Sequence, residues 1–429
     1  MKKITLCIVG AGSSYTPELI DGLLAHEDQA IPVKAIHLAD RNPERLAIMA
    51  GLTERMVRHS GRDIKVRSGS DLAELLKDAD FVVSQIRVGG MKARYLDESI
   101  PPRFGMIGQE TTGPGGMFKA LRTIPEMIEI AQTVARVSPN AFLLNYTNPS
   151  GIIAEAVLKH SKAKLIGLCS GIPGMQQDLK EKLKDRYPDL KSYSVGLNHL
   201  GFIYKMVSAG QDVTADAIES LYRQEQAGPD ASAKNGRLSP MTLAKSLGAI
   251  PIGYLDYFYY RNEVLAEELS GKATRAEQVM KIEKDVLEQA SSLDCHGKPD
   301  ALVKRGGGGY SDVTFGFLKA ILHDQNAELV CSVQNQGRVE GIDADASVEL
   351  SCRVGKDGAT PMPVGAIPLA FRGLVLAVKA YETLTVEAAV KRDRNKVIQA
   401  MLNHPLASDL NQIERMVDEM LQAHELDFS

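Results

Sequence analysis

Short apolar runs alternate with amphipathic stretches through the first 185 residues, and this rhythm predicts strands alternating with helices. Residues 4–9 form an apolar strand that runs into Gly10, Gly12, Ser13 and Ser14, a glycine turn. A helix opens near Pro17, a residue suited to a first helical position, with Leu19, Ile20, Leu23 and Leu24 on one face. Strands follow at 33–39, 64–66 and 81–86, with helices around 44–59 and 71–77 between them. A long helix near 123–134 leads to strands at 142–145 and 165–168. Strand–helix–strand repetition of this kind predicts an α/β fold with a doubly wound parallel sheet.

Beyond residue 185 the pattern changes. Helical stretches at 240–265, 275–292, 367–381 and 386–403 mix with short strands at 329–333 and 347–353. The first of these helices should break or kink at Pro251, which cannot donate to a helix ladder. The chain therefore divides into a first domain, 1–185, and a mixed α+β domain, 186–429. The run Gly306-Gly307-Gly308-Gly309 reads either as a linker or as a close approach of backbone to ligand.

Composition narrows the function. A chain of 429 residues exceeds one hydrophobic core. A net charge of −4 gives no basic face for nucleic acid, so an anionic ligand must meet a local cluster of Arg and Lys. No apolar run approaches the length of a membrane span. Five scattered cysteines, without a CxxC pair, indicate reduced thiols and a cytoplasmic protein.

The glycine turn sits between a strand and a helix, the context of a Rossmann-type dinucleotide site. Glycines let the backbone approach a pyrophosphate, and the helix N-terminus offers free N–H groups. Gly10, Gly12, Ser13 and Ser14 are the phosphate-side candidates, and Asn145, which ends another strand in the same half, is a further cofactor-binding candidate. Asp40, closing the second strand, is placed to accept from an adenosine ribose and favours NAD by repelling a 2′-phosphate. Arg41 beside it works against that preference. The alternative is a structural turn in which Asp40 caps the next helix.

Polar clusters end further strands or open the second domain: Gln109-Glu110-Thr111-Thr112-Gly113, Asn145-Tyr146-Thr147-Asn148, Gly167-Leu168-Cys169-Ser170 and Asn198-His199. With Gly10-Ala-Gly-Ser-Ser-Tyr-Thr-Pro, Ile86-Arg87-Val88-Gly89-Gly90, Lys304-Arg305-Gly306-Gly307 and Ala380-Tyr381-Glu382, they make the chain resemble the family-four glycoside hydrolases over nearly its whole length. From the residues alone, Cys169 and His199 suit a two-ligand metal site, although each type is more often a packed or structural residue. Thiolate chemistry suggests zinc, whereas the resemblance implies Mn²⁺ or a similar divalent ion, completed by substrate hydroxyls and water.

The resemblance implies an NAD- and metal-dependent glycosidase, lactate/malate-dehydrogenase-like in architecture. It would cleave a 6-phosphorylated glucoside or disaccharide by oxidation at C3, deprotonation at C2, elimination, water addition and re-reduction. This is the exception to the usual carboxylate pair. It also implies Tyr254 as the C2 base, Arg94 and Arg275 as phosphate partners, and Asn148 and Glu110 as ligands of the sugar oxygens. Glu110 could equally cap the following glycine turn. A homodimer or homotetramer is expected. One departure concerns specificity. The residue after the metal-binding Cys tracks substrate in the family (Asp for 6-phospho-α-glucosidases, Asn for the β-enzymes, His for unphosphorylated sugars), and here it is Ser170. The remaining motifs look closest to the 6-phospho-β-glucosidases, with the α-enzymes as alternative. A 2-hydroxyacid dehydrogenase and a non-catalytic NAD sensor are the readings of another class.

Overall fold

The computed structural model describes residues 2–228, 237–306 and 308–428. Six strands build the first half: β1 (Ile4–Val9), β2 (Val33–Ala39), β3 (Lys65–Gly69), β4 (Phe81–Ser84), β5 (Phe142–Asn145) and β6 (Lys164–Gly167). All pair in parallel, in the order β3-β2-β1-β4-β5-β6. Every residue of β1, β4 and β5 is buried, as expected for parallel strands covered on both faces. The order reverses between β1 and β4, and their carboxyl ends diverge into a crevice, where ligands of such sheets bind.

Local chemistry fixes the helices around this crevice. Pro17 lies in the first turn of Thr16–Ala25, and Pro43 opens Pro43–Ser60. The Asn42 side chain accepts from the Arg45 N–H, and Gly61, at φ 71°, closes the helix left-handed.

The second half continues the same sheet. Its strands are β7 (Lys191–Leu197), β8 (Leu200–Ser208), β9 (Gln211–Asp212), β10 (Ile250–Pro251), β11 (Ala327–Gln334), β12 (Ser347–Gly355) and β13 (Gly358–Pro361). β11 joins β6 antiparallel at Ser332 and Gly167, and the order runs on as β12-β7-β8-β10, with β9 on β8 and β13 on β12. No helix among the described residues is long and apolar enough to cross a membrane.

Three helices depart from the periodicity. The helix predicted over 123–134 spans Gly113–Val137. Its glycines serve close packing: a Cβ on Gly115 would lie 2.5 Å from the Asp97 and Gln109 carbonyl oxygens. Pro114 sits in the first turn, where its missing N–H costs nothing. The stretch 240–265 is several pieces, Pro240–Leu247, β10, a 3₁₀ turn at Gly253–Leu255, Asp256–Tyr259 and Arg261–Glu268. Gly248, at φ 65°, ends the first helix, and Pro251 occupies an edge strand, where a missing donor is tolerated. Finally, Leu369–Lys391 is unbroken across the gap expected at 382–385. Glu382 is answered inside the protein by Lys379 at 2.6 Å, and the break falls at Arg392, φ 54°.

Candidate active site

The crevice is a cavity of about 850 Å³ that draws its walls from both halves of the chain. Gly10, Gly12, Ser13 and Asp40 line it. Gly10 has φ +84°, and a Cβ there would lie 2.9 Å from the backbone of Gln85 and Ile86. A Cβ on Gly12 would lie 2.9 Å from the Asp40 carboxylate, which accepts from the Gly12 N–H at 2.7 Å and the Asn42 N–H at 2.8 Å. Bare backbone at the turn and an acid at the end of β2 fit a dinucleotide. Leu72 and Ala73, with Ile130 on the Gly113–Val137 helix, add apolar walls suited to a flat base.

Ser14 and Asn145 are not on the wall. Ser14 is fully buried; its hydroxyl donates to Glu283 at 3.0 Å and accepts from Arg305 at 2.8 Å. Asn145, equally buried, accepts from the Ser84 hydroxyl and donates to the Thr147 carbonyl. Both brace the site from behind. Glu283 and Arg305 do line the cavity, and Arg45 joins Glu283 at 3.2 Å. The glycine turn gives no hint of residues some 270 positions downstream, although Arg305 lies within a motif the sequence displays.

A charged cluster stands beside the nucleotide cradle. The Glu110 carboxylate accepts from Arg87, from Lys119 at 2.7 Å and from Arg94 at 3.1 Å. Arg94 also pairs with Glu98 at 2.7 Å, and Glu98 accepts the Ala276 N–H at the start of Arg275–Ser291. Burial works to raise the Glu110 carboxyl, but Arg87, Lys119 and Arg94 outweigh it and hold it well below the usual range. Burial, then repulsion from Arg87, brings the Lys119 ammonium down to about 7. Arg87, Lys119 and Asn148 line the cavity. Arg94 and Glu110 lie one contact behind them. Arg275 is exposed, and its guanidinium donates to the Arg305 carbonyl at 2.7 Å, one hydrogen bond away from the wall. Arg87 lies within a motif the sequence displays, without a role assigned to it there, and Lys119 did not stand out.

Next to this cluster, residues 108–112 are held by side chains. Glu268 accepts the Gly108 N–H at 2.8 Å, and Gln109 Oε1 accepts the Thr112 N–H at 2.9 Å. Burial pushes the Glu268 carboxyl up to about 7; the Gly108 bond opposes this, and Glu98 and Glu267 add to it. The folded protein thus holds this proton where the unfolded chain, near 4.5, has released it. Stability supplied by Glu268 should accordingly be lost as pH rises from about 4.5 to about 7, by an amount on the order of 1–2 kcal/mol after allowing for residual exposure. Glu268→Gln, which retains the acceptor, is expected to flatten that slope in denaturant titrations at pH 5 and pH 8. An unchanged slope would remove Glu268 from the account.

His199 and Cys169 face the same region. His199 occupies the two-residue turn between β7 and β8 with φ +63°, uncommon for a residue other than glycine and a mark of functional sites. Its Nδ1 lies 2.8 Å from the Thr111 hydroxyl, which itself donates to Gln109 Oε1 at 2.7 Å. The hydroxyl must therefore accept from Nδ1–H, which leaves the lone pair on Nε2. Burial, reinforced by Lys119, pushes the imidazole down to about 4, so it is neutral. Cys169 follows β6 and is partly exposed. Burial and then Glu349 push its thiol up to about 12, while the Gly171 N–H and the Asn198 side chain favour its thiolate. Tyr254 joins the two: its ring stacks on His199, centroids 4.0 Å apart, and Cys169 acts on its hydroxyl electrostatically. That hydroxyl is raised by burial first and Cys169 second.

No group of three or more His, Cys, Asp or Glu side chains among the described residues could enclose a metal. A sulfur and an imidazole nitrogen with a free lone pair fit an ion whose remaining positions stay open to substrate oxygens and water.

Residues 3–185 match the family 4 glycosyl hydrolases, and residues 194–407 match the family 4 glycosyl hydrolase C-terminal domain. The chain is 37% identical to the "Probable 6-phospho-beta-glucosidase" of Bacillus subtilis (strain 168), over 99% of this chain and 97% of that one. It is 36% identical to the 6-phospho-beta-glucosidase of Escherichia coli (strain K12), over 99% of this chain and 96% of the relative. Among solved structures, the 6-phospho-beta glucosidase of Thermotoga maritima with manganese, NAD+ and glucose-6-phosphate superposes with a TM-score of 0.88, at 33% identity and 98% coverage of each chain.

Proposed function

Because the chain belongs to the family 4 glycosyl hydrolases, we propose that it hydrolyses 6-phospho-β-glucosides, with NAD and a divalent metal, Mn²⁺, as cofactors. The observation that carries the phosphate specificity is the convergence of three cations, Arg87, Arg94 and Lys119, on the Glu110 carboxylate beside the nucleotide cradle, with Glu98 answering Arg94 alone. Such an excess of positive charge suits a phosphate. The full-length relatives named as 6-phospho-beta-glucosidases support the β anomer, although Ser170 stands where the family's specificity-linked residue lies.

In this reading residues 1–185 carry the cofactor, and residues 186–429 supply substrate, metal and assembly contacts. Asp40 accepts from the adenosine ribose, and the bare backbone at Gly10 and Gly12 admits the pyrophosphate. When bound, NAD⁺ supplies a hydride acceptor at the sugar and the divalent ion supplies Lewis-acid charge neutralisation. Cys169 Sγ and His199 Nε2 hold that ion, with Thr111 fixing the imidazole. Arg87 and Lys119 meet the 6-phosphate from the wall, supported by Arg94, and Arg275 adds a contact from outside it. Glu110 spaces these cations, and Asn148 orients the sugar hydroxyls. Tyr254 takes the proton from C2.

A dehydrogenase reading finds less support, because the His199 Nδ1 partner is the Thr111 hydroxyl, not a carboxylate that would make the ring a strong base. The five unpaired cysteines support a reducing, cytoplasmic setting. A homodimer or homotetramer remains part of this reading.

The test is hydrolysis of α- and β-linked chromogenic 6-phosphoglucosides with NAD⁺, Mn²⁺ and a thiol reductant. Turnover of the β-linked compound, and none without NAD⁺ or Mn²⁺, is the expected result. Faster turnover of the α-linked compound would reverse the anomer, and net NADH accumulation without cleavage would replace the reaction class.

A further inference from the structure

At the adenosine end of the cavity Asp40 and Arg41 send opposite signals about the nucleotide. We infer that Glu126 sets nucleotide specificity by sequestering Arg41, so that a 2′-phosphate beside Asp40 meets carboxylates and not the neighbouring guanidinium. This rests on the dinucleotide reading of the cavity.

The Gly113–Val137 helix presents Glu126, Glu129, Ile130, Thr133 and, in its last turn, Arg136 to the cavity, spaced three, one, three and three residues apart, which places them on one helical face. On the opposite side, Asp40 closes β2 with Oδ2 on the Gly12 N–H and Oδ1 on the Asn42 N–H. An ionised carboxylate has about four acceptor sites, so these bonds fix its orientation and leave room for ribose hydroxyls. Arg41 comes next, and in NADP-binding sites an arginine near this point accommodates the 2′-phosphate. Here its guanidinium lies on Glu126 at 2.7 Å. Arg45, the next cation along, is already committed to the Gly12 carbonyl at 2.9 Å and to Glu283 at 3.2 Å.

A 2′-phosphate would therefore enter among Asp40, Glu126 and Glu129, and would have to compete with Glu126 for the Arg41 guanidinium. NAD, lacking that phosphate, needs neither event. Asp40 repels the extra charge, and Glu126 removes the residue that would compensate for it. The Arg41 side chain is three-quarters exposed, so the pair is a weak one. Its contribution lies in where it holds the guanidinium.

The experiment measures dissociation constants of NAD⁺ and NADP⁺ by calorimetry on the full-length protein, wild type, Glu126→Gln, Arg41→Ala and the double variant. Wild type should bind NAD⁺ more tightly than NADP⁺. Glu126→Gln should narrow that ratio about three- to tenfold, chiefly by tightening NADP⁺, since a released guanidinium can then form a charge-assisted bond to phosphate. In the double variant the gain should disappear. An unchanged ratio in Glu126→Gln overturns the inference, and so does a gain that survives the loss of Arg41, which would point to Arg136 on the same cavity wall. Failure of wild type to bind NAD⁺ is a separate outcome that removes the dinucleotide reading itself. Thermal unfolding of each variant checks that it is folded; this pair lies at the surface, away from the core.

Discussion

Alanine at position 199 should eliminate Mn²⁺-dependent turnover of a 6-phosphoglucoside while leaving NAD⁺ binding close to that of wild type. The physical reason is the small number of protein ligands. With only Cys169 and His199 available, loss of either leaves a single donor, and no third His, Cys, Asp or Glu among the described residues stands by to replace it. Loss of a partner that merely orients a ligand lowers metal affinity about 10–100-fold, so loss of the ligand itself should exceed that range. Cys169→Ser should behave alike. Thr111→Val should fall between these and wild type, because it removes the hydroxyl that fixes the imidazole tautomer and keeps the Nε2 ligand. The measurements are titration of Mn²⁺ followed by electron paramagnetic resonance, and NAD⁺ binding by calorimetry on the same samples. Both binding sites need to be read, since the nucleotide cradle from Gly10 to Asp40 lies on other elements. Mn²⁺ affinity unchanged in both ligand variants would refute the assignment, whatever happens to activity.

The sequence made the scaffold readable where local chemistry and burial agree. β1, β2 and β5 lie where alternation and apolar runs place them, and Pro17 and Pro43 mark helix starts. It was less readable where residues are used against their usual meaning. Gly115 and Gly116 look like a turn, yet they are small because carbonyl oxygens of neighbouring segments press against the helix. Glu382 looks like a solvent-facing interruption, yet it is buried with Lys379 as its partner. Turn residues at the site were legible for a related reason: Gly10 and His199 both adopt positive φ, and the sequence marks such places with glycine and with polar residues at strand ends. Side chains acting across long separations were not. Nothing near Ser14 announces Glu283 or Arg305, and nothing near Glu110 announces that Arg87 and Lys119 converge on it. Glu283, Arg305 and Arg87 are set by the tertiary packing of other segments, about which periodicity is silent, and Lys119, nine residues from Glu110, by the turn that leads into the Gly113–Val137 helix. Arg94 and Arg275 illustrate the boundary. Each was expected as a phosphate ligand, and the fold places the first behind the cavity-lining cations and the second on the Arg305 carbonyl.

Hydrolysis in D₂O should give a 6-phosphosugar carrying deuterium at C2, with the original hydrogen retained at C3. A C–H bond beside an alcohol carbon does not ionise in water, whereas one beside a carbonyl does, so exchange at C2 during cleavage reports transient oxidation of the neighbouring carbon. Direct displacement by a carboxylate pair leaves the C2–H bond intact throughout. Retention at C3 follows if the hydride that leaves the sugar returns to it without entering solvent. Tyr254 is the side chain proposed to take the C2 proton. Its hydroxyl is raised by burial first, the wrong direction for a base, and a cation bound beside it at His199 would oppose that shift. Tyr254→Phe keeps the ring that stacks on His199 and removes only the hydroxyl, so it isolates the proton transfer from the packing. General-base catalysis contributes typically 10²–10⁴-fold, and a drop on the order of 100-fold or more is expected in both cleavage and exchange. The two rates should fall together if proton abstraction lies on the path. Exchange that continues at the wild-type rate while cleavage falls would assign the base to another residue. Product lacking C2 deuterium, from an enzyme that still requires NAD⁺, would exclude the elimination route and reduce the nucleotide to a structural ligand.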